Sequence, residues 1–252
     1  MSEWWSSLGM SSAAWIGLCL SAVLIGMSKT GISGVSSISV PLLALVFGSK
    51  LSTGVTLPML ILADLFAVWY YNRHAEWHYL FRLLPWTAVG VLLGVWLGKD
   101  LSENLFKNLM ALIILSGAGI MLLLDRIKTV QLPSGGWFAA VIGICAGFAT
   151  MVGNLAGGFV LIYFLAMRLP KAVLIGTGAW FFLLINLFKL PFHIFTWHTV
   201  SWPSFTLNLT MIPLLLLGAW AGIAIVSRLG EQSYRNVLIL LTAVGALALI
   251  LK

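Results

Sequence analysis

Apolar stretches close to the length of a membrane crossing recur along this chain from Ala13 to its C-terminus. A helix needs about 20 apolar residues to cross roughly 30 Å of hydrocarbon, and several runs here reach that length. One water-soluble core could not bury them all. With 61% hydrophobic residues, 8% charged residues and a mean hydropathy of +1.05, the chain lies far outside soluble composition. Closed barrels also satisfy backbone polar groups in lipid, but their strands alternate in polarity, whereas these runs are apolar all round. The reading is an all-α, polytopic integral membrane protein.

The formal charge of +7 and the pI near 9.7 do not point to nucleic acid, because the basic residues come singly or in pairs between apolar runs. They read as topology signals and lipid-headgroup contacts. Cys19 and Cys145 lie in apolar segments without CxxC spacing and read as packing residues. Met1 to Met10 carries no basic n-region, and no convincing cleavage site follows, so the first apolar run is expected to stay in the mature protein.

Ten apolar segments can be marked: Ala13 to Met27, Val35 to Phe47, Ser52 to Tyr71, Leu80 to Leu97, Leu105 to Leu124, Trp137 to Met151, Ala156 to Met167, Ala172 to Leu190, Pro203 to Val226, and Tyr234 to Leu251. Five fall on each side of the polar stretch Asp125 to Gly136. The expected organisation is therefore a first transmembrane repeat over 1–124, a linker over 125–136 and a second repeat over 137–252. A shift of about 122 residues places Gly31 on Gly153, Gly54 on Gly176, Asp64 on Asn186 and Phe66 on Phe188. A slightly larger shift aligns the stretch from Leu101 to Asn108 with that from Leu229 to Asn236, each leading into a final apolar segment. Several matches in order indicate duplication.

An odd number of segments per half would set the second repeat upside down in the bilayer, an arrangement common among secondary transporters. If every segment crosses, one face holds Lys29, Arg73, Arg82, Arg126, Lys128, Arg168, Lys171, Arg228 and Arg235, and the other Lys50, Lys99, Lys107, Lys189 and Lys252. The bias makes the first face cytoplasmic and places both termini outside. Trp4, Trp5, Trp77, Trp86, Trp197 and Trp202 sit near segment ends and read as interfacial anchors.

The first two segments of each half are short and meet at a glycine-rich polar junction, Gly26 to Ser37 in one half and Gly147 to Gly158 in the other. They are either crossings or re-entrant half-helices. Short, glycine-interrupted segments at corresponding positions of two repeats point to a transporter's binding site. A helix that starts inside the membrane offers unpaired N–H groups and a partial positive charge, and glycine lets a ligand approach them. The candidate anion-binding residues are Ser28, Lys29, Thr30, Gly31, Ser33, Gly34, Ser36, Thr150, Gly153, Asn154 and Gly157. Hydroxyls and the amide would donate to oxyanion oxygens, and Lys29 adds a full charge. The alternative is an ordinary turn with Lys29 in water and the glycines serving helix packing. The glycines at 90, 94, 98, 218 and 222 read as packing residues.

Asp64 is the acidic residue set deepest in an apolar segment, so it is the candidate coupling residue of a proton-driven cycle or else a structural acceptor between helices. Pro58, in the same segment, is expected to kink it. His74, His78, His193 and His198 read as exposed interfacial residues rather than metal ligands. No GxSxG, HExxH, P-loop or paired-carboxylate pattern supports catalysis, so neither an enzyme nor a cofactor is expected.

Gly26-Met-Ser-Lys-Thr-Gly31 with Gly34 and Pro41, Gly48, the stretch from Gly54 to Pro58, and the repeated junction from Gly147 to Gly158 together resemble the sulfite exporter TauE/SafE family of membrane proteins. The resemblance covers nearly the whole chain and implies export of sulfite or an organosulfonate-type anion, by alternating access between the repeats. A passive anion channel and a non-transporting scaffold stay open as alternatives. The expected partners are a small anion and membrane lipid, a homodimer is compatible with the sequence, and the expected location is the cell membrane, a bacterial inner membrane in particular.

Overall fold

The computed structural model describes residues 10–32, 35–126, 135–230, 232–234 and 236–237, and all regular structure among them is helical. The first half comprises α1 (Ser12–Lys29), α2 (Ser36–Phe47), α3 (Ser49–Val55), α4 (Leu57–Tyr71), α5 (Trp77–Gly98) and α6 (Glu103–Arg126). The second comprises α7 (Gly136–Gly153), α8 (Gly157–Ala166), α9 (Lys171–Phe195), α10 (Trp202–Thr210) and α11 (Ile212–Arg228). Residues 127–134 of the expected linker, and nearly all of the tenth apolar segment, lie outside the described residues.

Local chemistry sets the ends and breaks. Ser11 caps α1, its hydroxyl accepting from the Ala14 N–H at 3.2 Å. Gly48 turns the chain between α2 and α3 at φ +85°, where a β-carbon is strained. Pro58 cannot donate to the Gly54 carbonyl, and the helix breaks at Thr56 as expected, separating α3 from α4. The Asn208 amide donates to the Val55 carbonyl beside this break at 2.7 Å. Pro213 stands in the same relation to a break at Met211, where α10 and α11 meet at 52°.

Five helical spans among the described residues are long and apolar enough to cross a bilayer, and the α10–α11 pair would make a sixth. The expectation of two short segments per half holds for the second of each pair and fails for the first. Helices α1 and α7 each run 18 residues, because the helix continues past the apolar run through polar Ser28 and Lys29, or through Val152 and Gly153. Helices α2 and α8, with 12 and 10 residues, rise about 18 and 15 Å, too little to cross.

Large apolar side chains cover the outside, Leu45, Trp69, Trp96 and Phe195 among them, while Ser21, Asp64, Thr87, Thr177, Asn186, Lys189 and His193 are buried. This suits a hydrocarbon solvent. Without a hydrophobic drive between helices, close backbone approach must hold them together. Gly26 of α1 faces the Leu215 carbonyl of α11, and Gly218 faces that of Val23. Gly147 of α7 faces the Thr87 carbonyl of α5, and Gly90 faces that of Ile144. The first segment of each half is thus seated on the fourth segment of the other half by glycines. Helices α4 and α9, from the third segment of each half, pack on one another between these pairs.

Candidate functional site

Lys29, in the last turn of α1, reaches Asp64 of α4 with 2.9 Å between Nζ and Oδ1. Its ammonium also lies 4.2 Å from the ring centre of Phe182 on α9. The carboxylate is fully buried, and its Oδ2 accepts from the Asn186 amide of α9 at 2.6 Å. Asp64 and Asn186 are the residues that the 122-residue shift pairs, and here they touch.

One turn along α9 from Asn186 stands Lys189, also fully buried. Its ammonium donates to the Thr150 carbonyl and hydroxyl oxygens at 3.0 Å each, and to Asn154 Oδ1 at 2.7 Å. All three N–H groups are satisfied, and no carboxylate among the described residues pairs with it. Lys189 also fixes its neighbours. The Thr150 hydroxyl accepts from it and keeps its own proton to donate. The Asn154 amide turns its oxygen to the ammonium and its nitrogen to the Thr53 carbonyl, 3.0 Å away. Asn154 holds the left-handed conformation, φ 58°, that ends α7.

Beside these groups lies a cavity lined by Ser28, Lys29, Leu60, Thr150, Asn154, Gly157, Phe182 and Asn186. Gly157 begins α8, whose cap residue Ala156 supplies no side-chain acceptor. The first helical bond there runs from the Val160 N–H to the Ala156 carbonyl, so earlier N–H groups lie outside the ladder. Lys29 stands in its wall, Asp64 lies behind Lys29 and Asn186, and Lys189 lies behind Thr150 and Asn154, so two lysines and one carboxylate surround the centre.

Two further cavities adjoin the centre, sharing Lys29 and Phe182 with it on one side and Leu60 and Asn154 on the other. The first is lined by Gly31, Leu161, Leu174, Ile175, Gly178 and Phe182, with Ser28, Lys29 and Tyr234; at the positions that the 122-residue shift pairs with the first six, the second has Gly153, Ser39, Ser52, Thr53, Thr56 and Leu60. Four hydroxyls of the second thus stand where the first has three aliphatic side chains and a glycine.

Of the residues expected to bind, Ser28, Lys29, Thr150, Asn154 and Gly157 meet at the central cavity, while Gly31 and Gly153 line the flanking chambers. Thr30 turns away, its hydroxyl donating across α1 and α11 to the Ala219 carbonyl at 2.9 Å. Ser33 and Gly34 lie outside the described residues, as does the side chain of Ser36. Lys29 does not sit in water: its side chain is 9% exposed, and Thr30 and Ile32 beside it are buried.

Three further corrections follow from burial. Lys189 is not a topology residue on a membrane face, and taking it and Lys29 out of the charge count leaves the bias in the same direction. His193 is buried rather than interfacial, with Nδ1 2.8 Å from the Thr199 hydroxyl. Helix α9 continues through Pro191 to Phe195, which neighbouring helices permit in a membrane. Trp197 is packed on Phe106 and His193 instead of anchoring, whereas Trp77, Trp86 and Trp202 are exposed, as are His74, His78, His198 and Cys145. The sequence signal for the missed residues was a polar stripe, Asn186, Lys189 and His193, at spacings of three and four on one helix.

The profile described as sulfite exporter TauE/SafE matches residues 18–249, a span that holds both glycine junctions, Asp64 and Lys189. The chain belongs to that family. As a TauE/SafE protein it is a multi-pass membrane transporter of the sulfur-anion class, in agreement with its helical spans. No curated protein and no solved structure matches the TauE/SafE chain.

Proposed function

We propose that the chain exports sulfite or an organosulfonate-type anion by alternating access, with the anion held in the central cavity. The carrying observation is the charge there: Lys29 and Lys189 outnumber Asp64, and burial in a low dielectric makes an unbalanced cation attract an anion strongly. Thr150 offers its hydroxyl, Asn186 and Asn154 their amides, and α8 the N–H groups of its first turn. These donors suit the three oxygens of a sulfite or sulfonate group. The reaction class is translocation rather than bond chemistry.

The test is flux from proteoliposomes loaded with sulfite, sulfate, thiosulfate or small sulfonates. Saturable, anion-selective flux is expected. Lys29→Met should lower it by about one to two orders of magnitude, the cost of a charge-assisted contact worth about 1.5–3 kcal/mol. No selective flux in any of these, or wild-type flux in the variant, would reject the reading.

The inverted setting of the halves belongs to the same proposal. A residue bonds its own repeat counterpart, as Asp64 does Asn186, when a two-fold axis passes between them. With an odd number of segments per half, that axis lies in the membrane plane and places the pair at the midplane. The flanking chambers then open toward opposite faces. Exposed Asp100 and Arg228 occupy corresponding positions at the ends of α5 and α11. Single cysteines there, in a chain with Cys19 and Cys145 replaced by serine, should react with an impermeant maleimide from opposite sides. Labelling of both from one side would refute the inversion.

A further inference from the structure

We infer that the C-terminal end of α7 is an alkali-cation site that the chain fills with its own tethered ion, the ammonium of Lys189. The three atoms that hold it are a helix-terminal carbonyl, a hydroxyl oxygen and an amide oxygen, all neutral and all within 3.0 Å. That donor set is the one by which broken-helix ends hold dissolved Na⁺, and the helix dipole places partial negative charge at the same point. Burying an ammonium is costly unless a polar cage receives it. Here the cage is complete and Lys189 is 0% exposed, so the cation neither exchanges with solvent nor depends on its composition.

The other half treats the equivalent helix end differently. At the end of α1 the lysine sits on α1 itself and is held by a carboxylate on α4, Lys29 to Asp64. At the end of α7 the lysine sits on α9 and is held by oxygens of α7 and of the residue that caps it. Each repeat therefore carries one ammonium at its broken-helix end, supplied from opposite partners. The Lys189 charge stays in place as the transported anion comes and goes, and it orients the Thr150 and Asn154 donors throughout. The inference stands on this geometry whatever anion is carried.

Lys189→Ala empties the cage and leaves its oxygens. For the purified full-length variant, about 100 mM Na⁺ should raise the unfolding midpoint by roughly 3–5 °C over the same concentration of choline. Wild type should not respond. Neither should Lys189→Met, whose side chain fills the space without charge. Flux lost in the alanine variant should return with Na⁺. A response to methylammonium with none to Na⁺ would mark a lysine pocket and overturn the inference, as would indifference to both. A second test needs no cavity variant: Thr150→Val should lower the midpoint by several degrees in the wild-type chain and hardly at all in Lys189→Met. Equal losses in both backgrounds would also overturn it.

Discussion

Asp64→Asn should lower the unfolding midpoint by on the order of 10 °C, and adding Lys29→Met to the same chain should recover most of that loss. The asparagine keeps the volume and can still pair with the Asn186 amide, so what disappears is the charge opposite the Lys29 ammonium. Removing one partner of a buried pair costs about 3–5 kcal/mol because the other charge stays behind, whereas removing both is nearly neutral. Thermal unfolding of the wild type, the two single variants and the double variant closes the cycle. Losses that simply add would show that Lys29 and Asp64 act independently. The same variants separate binding from coupling. In Asp64→Asn the ammonium is no longer shared with a carboxylate, so anion affinity should rise while flux driven by a pH gradient falls. Unchanged pH-driven flux would remove Asp64 from the coupling role.

That experiment concerns residues visible in the sequence, because a lone acid in an apolar run and a lysine at a glycine junction are both costly placements in hydrocarbon. The helical membrane layout was legible for a similar reason: hydrophobic length is a one-dimensional property. Lys189 was not recovered. Six residues from the end of a long helix, it has the position of a snorkelling topology lysine, and only packing decides whether such a side chain turns outward or inward. His193 was missed because Pro191 ended the apolar run, although the helix did not end there. The lengths of α1 and α7 were underestimated because the marked runs stopped short of the glycine junctions, and the helices continue through Ser28 and Lys29 in one and Val152 and Gly153 in the other.

The two flanking chambers share backbone positions and differ in side chains, Thr53 against Ile175 and Ser52 against Leu174. The carboxylate at the repeat contact faces an amide rather than a second carboxylate, which avoids two like charges in contact. The symmetry supplies the place, and departures from it supply the charge.

The scaffold that holds those departures in register should fail in a characteristic way when its glycines are filled. A β-carbon at Gly26 would land on the Leu215 carbonyl, and one at Gly147 on the Thr87 carbonyl, so the paired helices must separate. Overpacking of this kind costs about 1–3 kcal/mol per site. Gly26→Ala and Gly147→Ala sit in different helix pairs, and their losses should add. Gly26→Ala with Gly218→Ala shares one pair: once the first methyl has pushed α1 from α11, the second finds the space already open. That double variant should lose clearly less than the sum. Gly119→Ala, with nothing among the described residues near its added carbon, should gain up to about 1 kcal/mol from helix propensity. Flux should follow the same pattern, because α1 carries Ser28 and Lys29 to the central cavity and moves them when it moves. Thermal midpoints of the four single and two double variants against wild type decide it. Full additivity of the Gly26 and Gly218 substitutions would mean that the two glycines do not meet across one shared contact.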